Sequence, residues 1–181
     1  MLYPNPQNQM PQISEKAWVS ETAIIVGNVT IGDNVFVAHN AIIRADEPGS
    51  SVMIGDNCNI QDSVIIHSLS NSDVVVNSNT SLAHGCIVHG PCIMGEGCFV
   101  GFGSVVFDCV VGNDTLVLHN ATVRKVRIPA GKVVPDGMSI TSQDAVECLE
   151  DVSSELVKFK DSVVKANLNL VNGYKNLATQ A

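Results

Sequence analysis

The chain is short of aromatic residues, of leucine and of charge. Of its 181 residues only eight are aromatic and ten are Leu, and 15% are charged. Ordinary helical proteins are led by Leu and Ala, so a helical bundle is not expected. Only ten Lys and Arg stand against 18 Asp and Glu, a net charge of −8. Without a basic stripe to follow a phosphate backbone, nucleic acid is not an expected partner. No apolar run reaches the roughly 20 residues of a membrane helix, so no membrane association is expected either. The opening Met1-Leu-Tyr-Pro-Asn-Pro has neither a cationic start nor an apolar segment, does not read as a secretory signal, and makes a cytoplasmic protein the simplest expectation. None of the six Cys falls in a Cys-x-x-Cys pattern, so their positions need another account.

What is abundant is Val, with 27 residues, and Ile, with 14. β-Branched side chains are stiff at χ1 and favour pleated, half-buried surface, which predicts a mainly β protein. The distribution is uneven: 35 of these 41 residues precede residue 141, whereas half of the Leu follow it. Two architectures are expected, a β domain over 1–141 that includes an N-terminal extension, and a helical segment over 142–181.

An aliphatic residue returns every sixth position: Ile25, Ile31, Val37, Ile43, then Ile54, Ile60, Ile66, then Val76, Leu82, Val88, Met94, Val100, Val106. The frame continues through Val111, Val117, Val123, Ile128, Val134 and Ile140, with two steps shortened to five. A period of six predicts a parallel β-helix with three flat faces per coil, each aliphatic pointing inward and stacking on its counterpart one coil away. Adjacent coils should lie at the ~4.8 Å spacing of hydrogen-bonded strands. The inward slot two residues before each aliphatic must be small, and it holds Val29, Val35, Ala41, Cys58, Val64, Cys86, Cys92, Cys98, Ser104, Cys109 and Thr115. Five of the six Cys are thereby explained as small core residues rather than metal ligands. Cys92 and Cys109 should be neighbours in adjacent coils, close enough that an oxidised pair is conceivable.

Two interruptions break the count, predicting loops at Asp46 to Ser51 and at Ser68 to Asp73; loops on a rigid scaffold are where function tends to be placed. After Ile140 the period changes. Ser153-Ser154-Glu155 offers an N-cap, Leu156, Phe159, Val163, Leu170, Val171 and Tyr174 recur at helical spacing, and Gly173 lies near the end. A long amphipathic helix should cover one face of the prism, preceded by a short one at Gln143 to Leu149.

The repeat gives each of the five histidines an address. Calling the faces first, second and third from Ile25 onward, His67 and His89 follow Ile66 and Val88 directly and share an outward column on the first face, one coil apart. His84 follows Leu82 by two places and lies around a corner, on the third face. Two imidazoles in one column can share a metal ion, and a third from another face can come from a neighbouring subunit if prisms associate first face against third. A homotrimer with three interfacial metal sites is the expectation. Three nitrogen ligands leave a fourth position open, the arrangement of a catalytic zinc. His39 and His119 share His84's column without matching partners on the first face, and are read as scattered surface residues. Arg44 lies one coil below His67, Asp46 and Glu47 open the loop beside it, and Gln61 and Asp62 lie one coil below His84. For Arg44, Asp46 and Asp62 an ion-pair network that merely holds subunits together is an open alternative.

These residues resemble the γ class of carbonic anhydrases. The resemblance is carried by Arg44-Ala-Asp46-Glu47, by Asn59-Ile-Gln61-Asp62-Ser-Val-Ile-Ile-His67 and by Ala83-His84-Gly-Cys-Ile-Val-His89-Gly90-Pro91. It continues through Gly-Cys-Phe-Val-Gly-Phe at 97–102, Ile128-Pro-Ala-Gly, Val134-Pro-Asp-Gly-Met and the helical Asn167 to Lys175, and so covers nearly the whole chain. It implies a left-handed β-helix, a homotrimer and a metal held by His67 and His89 of one subunit and His84 of the next. In such enzymes the metal activates water toward carbon dioxide, giving bicarbonate. By the same resemblance Gln61 orients the attacking oxygen, Asn167 helps position carbon dioxide or bicarbonate, and Glu47 takes part in proton transfer. Arg44 and Asp46 would link subunits and contact bicarbonate, with Asn59 in support behind the ligands. Zinc suits the ligand set; cobalt and iron(II) are compatible with imidazole.

Two departures bear on activity. Well-known members carry a longer acidic loop after the first metal His, with a proton-shuttling Glu, where this chain has only Ser68 to Asp73; a Tyr near their helical Asn is replaced by Lys165. A second reading is therefore a structural or assembly protein of the same lineage, similar to the N-terminal domain of the carboxysome scaffold or to related mitochondrial subunits, with little or no hydration activity. The stretch Gly-Phe-Gly-Ser-Val-Val-Phe also resembles that scaffold, although no further domain follows in the 181 residues, which counts against it. A hexapeptide acyltransferase acting on a coenzyme A thioester is a third reading, with nothing but the repeat behind it.

Overall fold

The computed structural model describes residues 1–178. Short parallel strands stack in three registers, and each register follows one of the predicted columns. On the first face Ile25, Ile43, Ile66, Val88, Val106, Val123 and Ile140 are successive partners. The second face stacks Ile13, Ile31, Ile54, Val76, Met94, Val111 and Ile128. The third stacks Val19, Val37, Ile60, Leu82, Val100, Val117 and Val134. The architecture is a left-handed parallel β-helix of about seven coils with a long C-terminal helix.

The interior is the predicted one. All the period-six aliphatics from Ile25 to Ile140 are at most 3% exposed, and the small slot from Val29 to Thr115 at most 4%. Burial pushes the Cys58 and Cys86 thiols up to about 12, so the interior cysteines are inert packing groups rather than nucleophiles. Cys92 and Cys109 are register partners, and both are free thiols.

A three-sided coil needs a sharp turn at every corner, and the left-handed backbone conformation supplies it. Asn34, Asn57 and Asn79 take φ near +60° at one corner, and the Asn34 and Asn57 amides each donate to the next asparagine above, at 3.1 and 3.2 Å. At the corner between third and first faces the same role falls to Asn40, Ser63, Gly85, Gly103, Asn120 and Gly137. Gly and Asn adopt this conformation at least cost, which is why they recur there.

Both predicted insertions leave the coil, but shorter than expected: Ser51 and Asp73 already open strands, as partners whose side chains hydrogen-bond at 2.5 Å. Helix α1 (Gln143–Glu147) is capped by Ser142. Helix α2 (Ser154–Ala178) starts behind Ser153, whose hydroxyl accepts from the Leu156 N–H at 3.3 Å. It runs through Gly173 instead of ending there; residues 179–181 lie outside the described residues. It crosses the third face from the upper coils, where Phe159 meets Phe99, to the lower ones, where Tyr174 stacks on Trp18 at 4.2 Å.

The side turned inward holds four of the six apolar positions of the pattern, Leu156, Val163, Val171 and Tyr174, together with two polar residues. Phe159 and Leu170 are 41% and 44% exposed, while Lys160 and Asn167 are buried beside Leu156, Val163 and Val171. Positions 156, 160, 163, 167, 171 and 174 form one 3.6-residue stripe, and its two polar members are accepted because each finds a partner on the prism. Lys160 pairs with Asp114 at 2.8 Å and Asn167 accepts from Gln61 at 2.6 Å. Among the described residues no helix is long and apolar enough to cross a membrane.

Candidate metal centre

Residues directly after the inward Ile43, Ile66 and Val88 point outward, so Arg44, His67 and His89 form one column, with Phe107 above. Strand pairing brings the rings together: His67 Nδ1 lies 3.1 Å from His89 Nε2. His89 Nδ1 is 3.1 Å from the Gly90 carbonyl oxygen, which can only accept. Assigned from this network, His89 carries its proton on Nδ1, His67 donates from Nδ1, and the lone pair of His67 Nε2 is left over. That nitrogen is buried without a hydrogen-bond partner, and so is Asp46 Oδ1, 3.5 Å away.

The two loops shape the carboxylates around it. Arg44 donates from Nε and Nη2 to Asp46 Oδ2 at 3.1 and 2.8 Å. Glu47 Oε1 lies 3.5 Å from His67 Nε2, while Oε2 accepts from the Ser70 backbone N–H at 2.7 Å and the Ser70 hydroxyl at 2.6 Å. These two bonds from Ser70 hold the Glu47 carboxyl below its ordinary value and keep it ionised. The Asn71 N–H donates to the Pro48 carbonyl at 2.9 Å, so the short second loop buttresses the first.

A second group sits on the third face. Gln61 Nε2 donates to Asn59 Oδ1 at 3.1 Å and to Asn167 Oδ1 at 2.6 Å. Asn59 in turn donates to Ser81, and Asn167 to the Val163 carbonyl. Both Gln61 donors are thus used within the chain, and its Oε1 is the end left to accept from a ligand. One residue on, Asp62 Oδ2 lies 3.0 Å from His84 Nδ1. An imidazole held through Nδ1 by a carboxylate presents Nε2 outward. The His84 side chain is 53% exposed, and Phe102 lies against it at a ring separation of 5.5 Å.

One chain does not bring the two groups together: among the described residues no cluster of three or more His, Cys, Asp or Glu is arranged to hold a metal. The halves nonetheless fit such an ion. Two nitrogens on a tetrahedral metal with bonds of 2.0–2.1 Å are roughly 3.3 Å apart, against 3.1 Å for the His67–His89 pair. Held this way, His67 would bind through Nδ1 and carry its proton on Nε2, which faces Asp46 Oδ1 and Glu47 Oε1 at 3.5 Å. A surface groove of about 800 Å³, lined among others by Cys92, Asp108, Lys125 and Arg127, contains none of the three histidines.

Three residues outside the predicted set belong to this surface. Ser70 anchors Glu47. Phe102 and His119 continue the His84 column, as the spacing places His119, and their rings stack at 4.4 Å. The signal was present, since positions 102 and 119 hold the same place in the repeat as 84.

A carbonic anhydrase from Methanosarcina thermophila is 34% identical over 192 aligned residues, covering 94% of this chain and 77% of its own. The chain belongs to the γ-carbonic anhydrase and CcmM-like hexapeptide-repeat family. Within that family, the carboxysome assembly protein CcmM of a Nostoc species is 40% identical over 90% of the chain, which spans only 31% of that relative's length. No family model matches. Among solved structures, the product of the Bacillus cereus BC4754 gene superimposes with a TM-score of 0.84 at 20% identity, covering 97% of each chain. A hexapeptide transferase family protein from Anaplasma phagocytophilum gives 0.80 at 23%, covering 96% of this chain and 97% of its own. At those identities the likeness speaks for the fold alone.

Proposed function

We propose that the protein is a metal-dependent carbonic anhydrase of the γ class. It acts as a homotrimer in which His67 and His89 of one subunit and His84 of the next hold zinc, with cobalt or iron(II) as alternatives. The observation that carries the reading is the 3.1 Å approach of His67 Nδ1 and His89 Nε2, with the other His67 nitrogen turned toward the Asp46 and Glu47 carboxylates. A further imidazole, already held through Nδ1, stands on the third face.

When bound, the ion supplies the Lewis acidity that lets water lose a proton near neutral pH. The chain's own groups do the rest. Gln61 Oε1 accepts from the reacting water and directs its lone pair at carbon dioxide, and Asn59 and Asn167 keep the amide from turning. Asn167 acts through Gln61, whose amide it holds, and keeps one N–H of its own amide for carbon dioxide or bicarbonate. Glu47, ionised and held by Ser70 through Oε2, receives the proton at Oε1. Arg44 uses Nε and Nη2 on Asp46, which leaves Nη1 for bicarbonate.

The second reading, a structural or assembly subunit with little hydration activity, is supported by the 40% identity to CcmM. It is also supported by a second loop that carries no acid except Asp73 and is used up in bracing Glu47. Metal analysis paired with carbon dioxide hydration across buffer concentrations separates the two. The enzyme reading expects about one metal per chain and a rate that rises with buffer, both lost in His67→Ala. Metal-loaded protein that is inactive even in strong buffer leaves the assembly reading standing.

A further inference from the structure

At the corner between third and first faces, the side chain preceding the left-handed turn repeatedly caps a backbone N–H one coil below. Asp62 accepts from the His39 N–H at 3.2 Å, His119 Nδ1 from the Phe102 N–H at 3.0 Å, and Asp136 from the His119 N–H at 2.7 Å. Phe102 occupies the same position above His84 and has no side-chain atom able to accept such a bond. Its ring is 48% exposed, an apolar group left at the surface of an otherwise polar column. What it does make is a stack. It lies 5.5 Å from the His84 ring at 30°, and its other face is backed by His119 at 4.4 Å and 20°. His119 is itself set by accepting the Phe102 N–H and by an edge contact with Phe99 at 6.1 Å.

His84 faces a difficulty that His67 and His89 do not. Those two rings fix each other, whereas His84 is half exposed and its polar neighbour is the Asp62 carboxylate below, with Oδ2 3.0 Å from Nδ1. A carboxylate close to one nitrogen favours presenting the other but leaves the ring free to swing about that contact. A flat group against the ring from above removes that freedom.

We propose that Phe102, backed by His119, is a positioning residue for His84, holding its imidazole in the orientation that offers Nε2 to the metal before the neighbouring subunit arrives. The proposal rests on the metal reading given above. It goes beyond that reading in assigning a role to two side chains outside the ligand set.

The test uses the 181-residue chain as it assembles in solution. Zinc affinity is measured by competition with a chromophoric chelator, the visible spectrum is recorded after cobalt substitution, and mass is followed by light scattering. Phe102→Ala should stay trimeric, bind zinc about 10- to 100-fold more weakly, the range expected when a group that orients a ligand is lost, and show altered cobalt bands. Phe102→Tyr, which keeps the flat ring, should restore both, and His119→Ala should show a smaller loss. A trimeric Phe102→Ala with unchanged affinity and spectrum overturns the proposal. So does a Phe102→Ala that falls apart into monomers, since the ring would then be a subunit contact. Wild-type protein that takes up no cobalt overturns the metal reading and this proposal with it.

Discussion

Replacing Lys160 by Met asks whether α2 is fastened to the prism by charge as well as by apolar contact. The Lys160 side chain is only 9% exposed, and its Nζ lies 2.8 Å from Asp114 and 3.5 Å from Asp161. Burial favours the neutral amine, but the hydrogen bond to Asp114 and the charges of both carboxylates outweigh it, so the pKa is raised above 10.5. Met keeps the apolar stem, which confines the loss to the charge. A hydrogen bond to a charged group contributes about 1.5–3 kcal/mol. Asp114 is 65% exposed and solvent screens it, which brings the net value to about 1 kcal/mol. For a chain of this size that is about 2–4 °C in melting temperature. Because the folded pKa lies above the unfolded one, the contribution is whole below pH 10.5 and fades as pH rises through the folded value. Calorimetry at matched protein concentration should therefore find Lys160→Met melting lower by that amount at pH 7, with the gap closing in more alkaline buffer. Equal stability at pH 7, or a gap that widens above pH 10.5, would refute the ion-pair account.

Two further expectations concern the interior. Leu82 is fully buried between Ile60 and Val100, so Leu82→Ala should cost about 2–5 kcal/mol in denaturant titration; a cost near zero would mean that the inward column is not close-packed. In native protein at pH 8 a disulfide reagent should titrate Cys148 quickly and leave the buried thiols untouched until unfolding. The reason is that a thiol pushed up to about 12, as Cys58 is, ionises roughly a thousandfold less than an ordinary one. Rapid reaction of all six would contradict the packing.

Much of the site was legible because a β-helix converts sequence spacing into position with almost no freedom. Once Ile66 and Val88 are inward partners, His67 and His89 must share a column and Arg44 must lie below them. The same arithmetic puts His84 on another face. It could not say that the Gln61 amide is spoken for by Asn59 and Asn167, because Asn167 lies 106 residues away on a helix whose rotation the repeat does not govern. Apolar spacing found Leu156, Val163, Val171 and Tyr174 on the covered side but also counted Phe159 and Leu170, which are exposed. The side actually buried includes Lys160 and Asn167, and a polar group is accepted there only if a partner waits on the prism.

The sequence by itself therefore determined the coil, its interior and the addresses of the outward side chains, since a period of six admits one way to turn a column of Val and Ile inward on each face with so little Leu. The tertiary structure alone decided which polar atoms are satisfied and which are left over. Ser70 on Glu47, Asp62 and Phe102 on His84, and the bare nitrogen of His67 depend on small differences in distance between separate coils and loops. Hydropathy carries no information at that scale, because it reports where a residue faces and not what it meets.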